Sequence, residues 1–179
     1  GGWSQQELVD YLRTGRAANK AQAAGPMAEA IDHSLKHLSD ADLNAIAHYI
    51  KSVPAIRDKA DTQPVTQWGK AGDELNAIRG VPLPQNLNQM SGAQLYDAQC
   101  ASCHQAKGEG SFDGSLPPLF HNSVTGRSNS NNLVMAILDG VERQDGKGSH
   151  AGHRMPAFRQ TLSDEQIVTL GNYVQKMYG

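Results

Sequence analysis

The sequence predicts an all-α protein, and three observations support this. Segments such as "LSDEQIVTLGNYVQKMYG" place apolar residues three and four positions apart, which is the period of one helix face. A serine followed by acidic residues precedes two of these segments, as at the N-termini of helices. No run with the alternating pattern of a β-strand stands before the two cysteines of the chain.

Composition excludes several classes of protein. The 179 residues carry a net charge of -2, without the basic stripe that nucleic-acid binding requires. No apolar run approaches the roughly 18 residues of a membrane span, and the N-terminus lacks the pattern of a signal peptide. We therefore expect a soluble chain with no nucleic-acid partner, whose export signal or membrane association belongs to parts or partners outside it.

The first half of the chain predicts two helices and a linker. Residues 7–15 form the first helix, which a capping box of Ser4 and Glu7 begins, and residues 38–53 form another. Residues 58–90 contain several prolines and little periodicity, which is typical of a linker. We expect a short helical turn near residues 71–78 and a linker that lies against the domains, with Trp68 as an anchor.

The most specific signal is the stretch "CASCH", in which Cys100, Cys103 and His104 have the Cys-x-x-Cys-His spacing. This spacing attaches one c-type haem, because both thiols reach the vinyl groups of one porphyrin and the histidine follows as a ligand to its iron. We predict one covalent haem c with His104 as an axial ligand.

Two other interpretations of these cysteines stay open. A redox dithiol of the thioredoxin kind would require alternating strands and helices around the motif. A zinc site would require further ligands, which His150 and His153 could supply. The residues that follow the motif favour haem.

A glycine-rich loop closed by "PPLF" follows the motif. An axial histidine needs an acceptor for its second ring nitrogen, and a carbonyl on a proline-stiffened loop is suitable. Pro117 is the candidate for this carbonyl. Leu119 and Phe120 are candidates for packing against the porphyrin, although a plain core role is equally consistent with them.

The second axial ligand is expected in the loop after a helix over residues 131–140. The candidates are Met155, His153, His150 and Met135. A methionine within an apolar helix is typical of core packing, whereas Met155 is followed by Pro156 and anchored by Phe158. We therefore predict Met155. Ligation by histidine and methionine leaves no open position on the iron, which indicates electron transfer.

The chain ends in a helix over residues 163–177, with Ser163 as its N-cap. Gly171 in this helix and Gly92 in the helix before the cysteines are small enough to let two helices cross closely. We expect these first and last helices of the domain to pack against each other beside the haem.

The sequence also repeats itself. Residues 7–15 match 132–140, and residues 38–53 match 162–177. Residues 1–57 are therefore predicted to be the C-terminal half of a cytochrome c-like domain without an attachment motif, followed by a linker over 58–90 and a complete haem domain over 91–179.

Met27 lies between the first pair of matched helices, as Met155 lies between the second. The repeat makes Met27 the equivalent of an iron ligand whose haem is missing, so we expect it to bind no iron in this chain. Its helices should leave an apolar face for another segment to cover. An unrelated three-helix cap is the alternative for this segment.

Together, "GPMAEAIDHSLKHLSDADLNAIAHYIKS", "LYDAQCASCHQ", "PPLFHNS" and "MPAFRQTLSDEQIVTLGNYV" resemble the triheme cytochrome c subunit of periplasm-facing, membrane-bound alcohol, aldehyde and gluconate dehydrogenases. The resemblance implies covalent haem at the two cysteines, and His104 and Met155 as iron ligands. It covers the tail of the second and all of the third cytochrome c domain.

The resemblance further implies that electrons arrive from a quinone- or flavin-dependent dehydrogenase subunit and leave towards ubiquinone or an oxidase. Covalent haem attachment indicates the periplasm. We thus expect an electron-transfer subunit with no catalysis of its own. The alternative is a haem enzyme, such as a peroxidase or a sulfur-compound oxidase, in which Met155 is displaceable.

Overall fold

Eight α-helices provide most of the regular structure in the computed structural model, which describes residues 2–18, 20–56, 58–64, 67–142 and 154–179. In chain order they are α1 Gln5–Thr14, α2 Gly25–His33, α3 Asp40–Ser52, α4 Leu75–Ile78, α5 Gly92–Gln99, α6 Ala101–His104, α7 Asn131–Asp139 and α8 Asp164–Tyr178. Short 3-10 turns lie at Leu35–His37 and Leu87–Gln89. The predicted helical class is confirmed.

A small antiparallel pair of strands, which the sequence did not predict, joins α1 to α2. Strand β1 Arg16–Ala17 pairs with β2 Ala21–Gln22, with Arg16 opposite Gln22 and Ala17 opposite Ala21. Gly15 ends α1 in the left-handed region at φ 73°, which turns the chain into the hairpin. Two residues per strand are too few to produce a recognisable alternation.

Reciprocal serine caps begin α1, α5 and α8. The hydroxyl of Ser163 accepts from the backbone N–H of Gln166, whose side chain accepts from the Ser163 N–H in return. Ser4 with Glu7, and Ser91 with Gln94, form the same reciprocal pairs. Each box satisfies two backbone donors that a helix end would otherwise leave unpaired, and a cap is worth about 1 kcal/mol.

The Glu7 carboxylate makes the stability of α1 depend on pH. The ammonium of Lys20 donates to it at 2.7 Å and the Ser4 N–H also donates, so both lower the pKa of Glu7 below its ordinary value. A lowered folded pKa adds stability that is present above the ordinary value, about 4.3, and is lost as the pH falls through the folded pKa. In thermal unfolding scans at falling pH, Glu7→Gln should lose less stability than the unaltered chain, whereas Glu29→Gln, an exposed control on α2, should match it.

The main core lies between α5, α7 and α8. Leu95, Leu170 and Val174 are almost fully buried there, and each such side chain stabilises the fold by about 1.5–3 kcal/mol. The predicted contact of the first and last helices of this domain is confirmed: a Cβ on Gly92 would fall on the Cβ of Tyr173 and 2.8 Å from its Cγ. Gly171 faces α7 instead, where a Cβ would lie 3.9 Å from Val134.

A separate core joins α1, α2 and α3. Val9, Leu12, Leu43 and Ala47 form one cluster, and Ala23, Ala28 and Ile31 form its neighbour. Met27 is half-buried and packs against both clusters. It lies in the first turn of α2, whereas Met155 lies in an extended segment, so the two methionines differ in local structure.

One face of α3 stays exposed. Tyr49 is 70% exposed, Ile50 43% and Val53 48%. Their counterparts in the repeat include Tyr173 and Val174, which are 8% and 4% exposed in the core that α8 forms with α5. The expected apolar face is therefore present in the described part of the chain.

The predicted linker lies against the C-terminal core, as expected. The side-chain amide of Gln166 donates to the carbonyl of Leu87 at 2.9 Å, and the Tyr178 hydroxyl donates to the carbonyl of Gly72 at 3.1 Å. The Ser123 N–H donates to the Lys20 carbonyl at 2.8 Å, which ties the N-terminal hairpin to the same half. None of the described helices has the length and apolar character needed to cross a membrane.

Candidate functional site

The Cys-x-x-Cys-His motif occupies one helical turn directly after α5. Cys100 ends α5 and precedes α6, and its carbonyl accepts from the N–H groups of Cys103 at 3.1 Å and His104 at 2.8 Å. Two thiols and one imidazole thus belong to a single backbone turn. This arrangement follows from the local sequence, because Ser91 caps the start of α5 and the motif turn comes directly after that helix.

Neither cysteine forms a disulfide. Cys100 is buried at the edge of the main core, and Cys103 is exposed. Burial, with a smaller contribution from the neighbouring Cys103, raises the pKa of the Cys100 thiol to about 12. Reactive dithiols have a lowered pKa at one sulfur, so this environment disfavours a redox pair of the thioredoxin kind.

The ring of His104 is held by the loop that follows it. Its Nδ1 lies 3.1 Å from the carbonyl oxygen of Pro117, which is the carbonyl that the sequence singled out. Burial lowers the pKa of His104, and the Pro117 carbonyl opposes that effect. A neutral ring that donates through Nδ1 presents the lone pair of Nε2, which is the atom that binds a metal.

Backbone hydrogen bonds fix the loop that carries Pro117. The N–H of Leu119 donates to the carbonyl of Gly108 at 2.9 Å, and that of Gly110 donates to the carbonyl of His104 at 3.0 Å. Gly110 has φ 71°, and a Cβ there would lie 2.7 Å from the carbonyl carbon of Pro117. The loop therefore closes over the histidine because a glycine stands at its closest approach.

The other predicted site residues border the same core. Leu119 and Phe120 are partly buried and pack against the cluster that contains Cys100. Met155 packs against this cluster as well, and its backbone pairs with Val141 through hydrogen bonds of 3.0 and 3.1 Å. Cys100, Leu119, Phe120 and Met155, four of the side chains proposed for one cofactor, thus lie around one apolar region.

Phe158 anchors the methionine segment as expected. It is buried, and its N–H donates to the carbonyl of Ile137 in α7 at 3.0 Å. The core role predicted for Met135 is wrong, since its side chain is 49% exposed. His150 and His153, the candidate zinc ligands, lie outside the described residues.

Sequence reasoning missed the role of Tyr96. Its hydroxyl donates to the carbonyl of Gln105 at 2.7 Å, directly after the motif. Gln105 has φ 62°, an unfavourable region for a residue with a Cβ, and the buried tyrosine holds it there. The spacing of four residues between Tyr96 and Cys100 was the available signal, because it places both on one face of α5.

The donor set fits a c-type haem better than it fits a bare metal ion. The site offers two free thiols, one oriented imidazole nitrogen and one thioether beside an apolar cluster. Within the described residues, no group of three or more His, Cys, Asp or Glu side chains is arranged to hold a metal ion. A covalently attached haem needs an apolar surface and cysteine thiols, and both are present.

Comparison with known proteins gives a consistent result. Residues 87–174 match the family described as cytochrome C oxidase, cbb3-type, subunit III. The whole chain is 44% identical to the fructose dehydrogenase cytochrome subunit of Gluconobacter japonicus and 32% identical to the gluconate 2-dehydrogenase cytochrome c subunit of Pantoea cypripedii.

The extent of these matches differs. The chain spans 38% of the length of each of the two dehydrogenase subunits. Cytochrome c-552 of Thermus thermophilus is 34% identical to this chain over 95 residues. The matched region is 51% of this chain and 70% of that relative. The dehydrogenase subunits are therefore similar to both halves of the chain, and the smaller protein is similar to about one half.

Proposed function

This chain belongs to the cytochrome c family, and from that premise we propose that it transfers single electrons through one covalently bound c-type haem. The observation that carries the proposal is the turn in which two free thiols adjoin a histidine whose Nδ1 is engaged by a loop carbonyl. When bound, the haem supplies a one-electron couple between ferrous and ferric iron.

The residues of the chain have distinct parts in this proposal. Cys100 and Cys103 would form the thioether links, and His104 would bind the iron through Nε2 while Pro117 fixes its ring. Met155 would supply its thioether as a second ligand. Leu119 and Phe120 would exclude water from the porphyrin, and exclusion of water with a closed iron favours electron transfer over chemistry on a substrate.

We place the protein in a respiratory complex. Relatives named as cytochrome subunits of fructose, gluconate and alcohol dehydrogenases support a dehydrogenase subunit with a quinone or flavin cofactor as the electron donor. The acceptor is then ubiquinone or an oxidase. The periplasm suits these partners, with membrane association through the complex.

We also propose that residues 1–57 are the C-terminal half of a second cytochrome c-like domain. Helices α1 and α3 pack on each other as α7 and α8 do, and serines cap α3 and α8 alike. The exposed Tyr49 and Ile50 support it, since α5 contacts their counterparts on α8. Met27 is then the equivalent of Met155 in this second domain.

Spectra of the oxidised chain, purified from cells that attach c-type haem, test the proposed function. We expect a Soret band and a charge-transfer band from methionine sulfur to ferric iron. Met155→Ala should abolish the charge-transfer band and lower the reduction potential, because a methionine ligand raises it. Met135→Ala removes a half-exposed methionine from α7 and should change neither quantity.

Other outcomes would contradict specific parts of the proposal. Persistence of the charge-transfer band in Met155→Ala would show that another group is the ligand. A high-spin spectrum of the unaltered chain would favour the haem enzyme. The lack of a Soret band would remove every function that depends on haem.

A further inference from the structure

The linker segment 67–72 holds both ends of the loop that carries the acceptor of His104. At one end, the N–H of His121 donates to the carbonyl of Trp68 at 2.6 Å. At the other end, the N–H of Gly72 donates to the carbonyl of Lys107 at 3.2 Å. Segment 67–72, called the strap below, therefore spans the base of the loop.

The Trp68 ring fixes the strap against the haem half of the chain. It fills the space beside Gly126, where a Cβ would lie 2.5 Å from the Cβ of Trp68. Its Nε1 donates to the carbonyl of Gln63 at 3.0 Å, so the polar edge of the ring is satisfied as well. A glycine at 126 is thus explained by the tryptophan that packs on it.

The strap also contacts the last helix. Gly69 has φ 65°, and a Cβ there would lie 2.9 Å from the Cα of Tyr178. The Tyr178 hydroxyl donates to the carbonyl of Gly72, and its ring lies where a Cβ on Gly108 would be. Tyr178 therefore packs between the strap and the start of the loop.

The end of the loop at His121 depends on such support. His121 has φ 55°, which is unfavourable for a residue with a Cβ and persists where neighbouring contacts impose it. Its N–H is held by Trp68, and its ring lies edge-on to Phe120 with centroids 5.2 Å apart. Thr125 donates to the Leu119 carbonyl and Asn122 donates to the Pro118 carbonyl, so the contacts continue to the residues beside Pro117.

We infer that Trp68 is a positioning residue for the axial histidine: it acts through the strap and the 108–121 loop to hold the Pro117 carbonyl against Nδ1 of His104. This inference rests on the proposed function, in which His104 binds haem iron. Trp68 contacts Gln63, His121 and Gly126. Its effect is to keep the loop closed, and thereby to keep the ring orientation and the Nδ1–H hydrogen bond of the ligand fixed.

The test measures hydrogen exchange by NMR in the reduced, haem-loaded full chain. Trp68→Ala should speed exchange of the Nδ1 proton of His104 and of the His121 amide by about tenfold or more, as expected when a local opening becomes easier. Amides in the middle of α8, such as that of Leu170, should exchange as before. Trp68→Phe retains a ring over Gly126 and should restore most of the protection.

Gly126→Ala provides a second perturbation, because its new Cβ displaces the ring while Trp68 is retained. It should reproduce the effect of Trp68→Ala, and the double variant should add little, since both changes remove the same contact. Phe112→Ala is the matched control: it truncates a fully exposed aromatic ring on the same loop and should leave both exchange rates unchanged.

The inference is overturned if the Nδ1 proton and the His121 amide keep their protection in both Trp68→Ala and Gly126→Ala. It is equally overturned if the α8 amides lose protection in the same proportion, because that pattern reports global destabilisation. Both results presuppose a Soret band in the unaltered chain. A chain without that band would instead contradict the proposed function.

Discussion

Replacing both cysteines by alanine, Cys100→Ala with Cys103→Ala, is expected to yield a chain from which acidified acetone extracts all the haem. Thioether bonds survive this treatment, whereas axial ligation by histidine and methionine, which we propose for His104 and Met155, does not survive acid. Mass spectrometry of the unaltered chain should show one haem equivalent, and the double variant none. Each single variant should keep one thioether bond and contain less haem than the unaltered chain, because Cys100 and Cys103 lie in the same turn and either can still attach the haem.

Ser102→Ala is the control for this prediction, since Ser102 lies between the cysteines and is exposed. It should load haem like the unaltered chain. Haem that stays bound to the double variant after extraction would contradict the attachment site. A second haem equivalent in the unaltered chain would contradict the expectation that Met27 binds no iron.

Gly92→Val is expected to lower the free energy of unfolding by about 3 kcal/mol, because it overfills the crossing of α5 and α8. A Cβ on Gly92 falls on the Cβ of Tyr173, so the helices must separate or the tyrosine must leave its position. The intrinsic helix propensity of valine exceeds that of glycine, so propensity alone predicts the opposite sign. Urea unfolding followed by circular dichroism measures the change.

Ala98→Val provides the matched control within the same helix. Ala98 is exposed on α5, and valine there should cost about 0.5 kcal/mol through helix propensity alone. Equal losses in the two variants would show that the crossing tolerates a larger residue. The urea midpoints of the variants and the unaltered chain should be compared at equal haem content, because bound haem stabilises the folded state.

The features that the sequence predicted depend on residues close together in the chain. Ser4 and Ser163 act on residues three positions later, so their caps could be identified without a fold. The haem motif occupies five consecutive residues. Pro117 required a longer inference, which succeeded because a stiff loop directly after the motif is the nearest source of a carbonyl.

The features that the sequence did not predict depend on distant contacts. Nothing near Gln105 or His121 indicates a left-handed backbone, since each is held by a residue from another segment, Tyr96 or Trp68. The sequence predicts a core position for Met135 because it stands in an apolar run. In α7, however, consecutive apolar residues point to different sides of the helix, and only one side can be buried. Exposure of one helix face is decided by the neighbouring helices.

The hydrogen bonds of the strap determine where this protein can be divided. A piece that begins at Ser91 would keep the attachment motif and α5 to α8, yet it would lack the carbonyls of Trp68 and Gly72 that accept from His121 and Tyr178. Asp61, whose carboxylate accepts from the N–H of Ser128, would also be lost. We therefore expect the smallest part of this chain that folds stably around the motif to begin before Asp61, well ahead of its first cysteine, and a graft or recombination boundary belongs there.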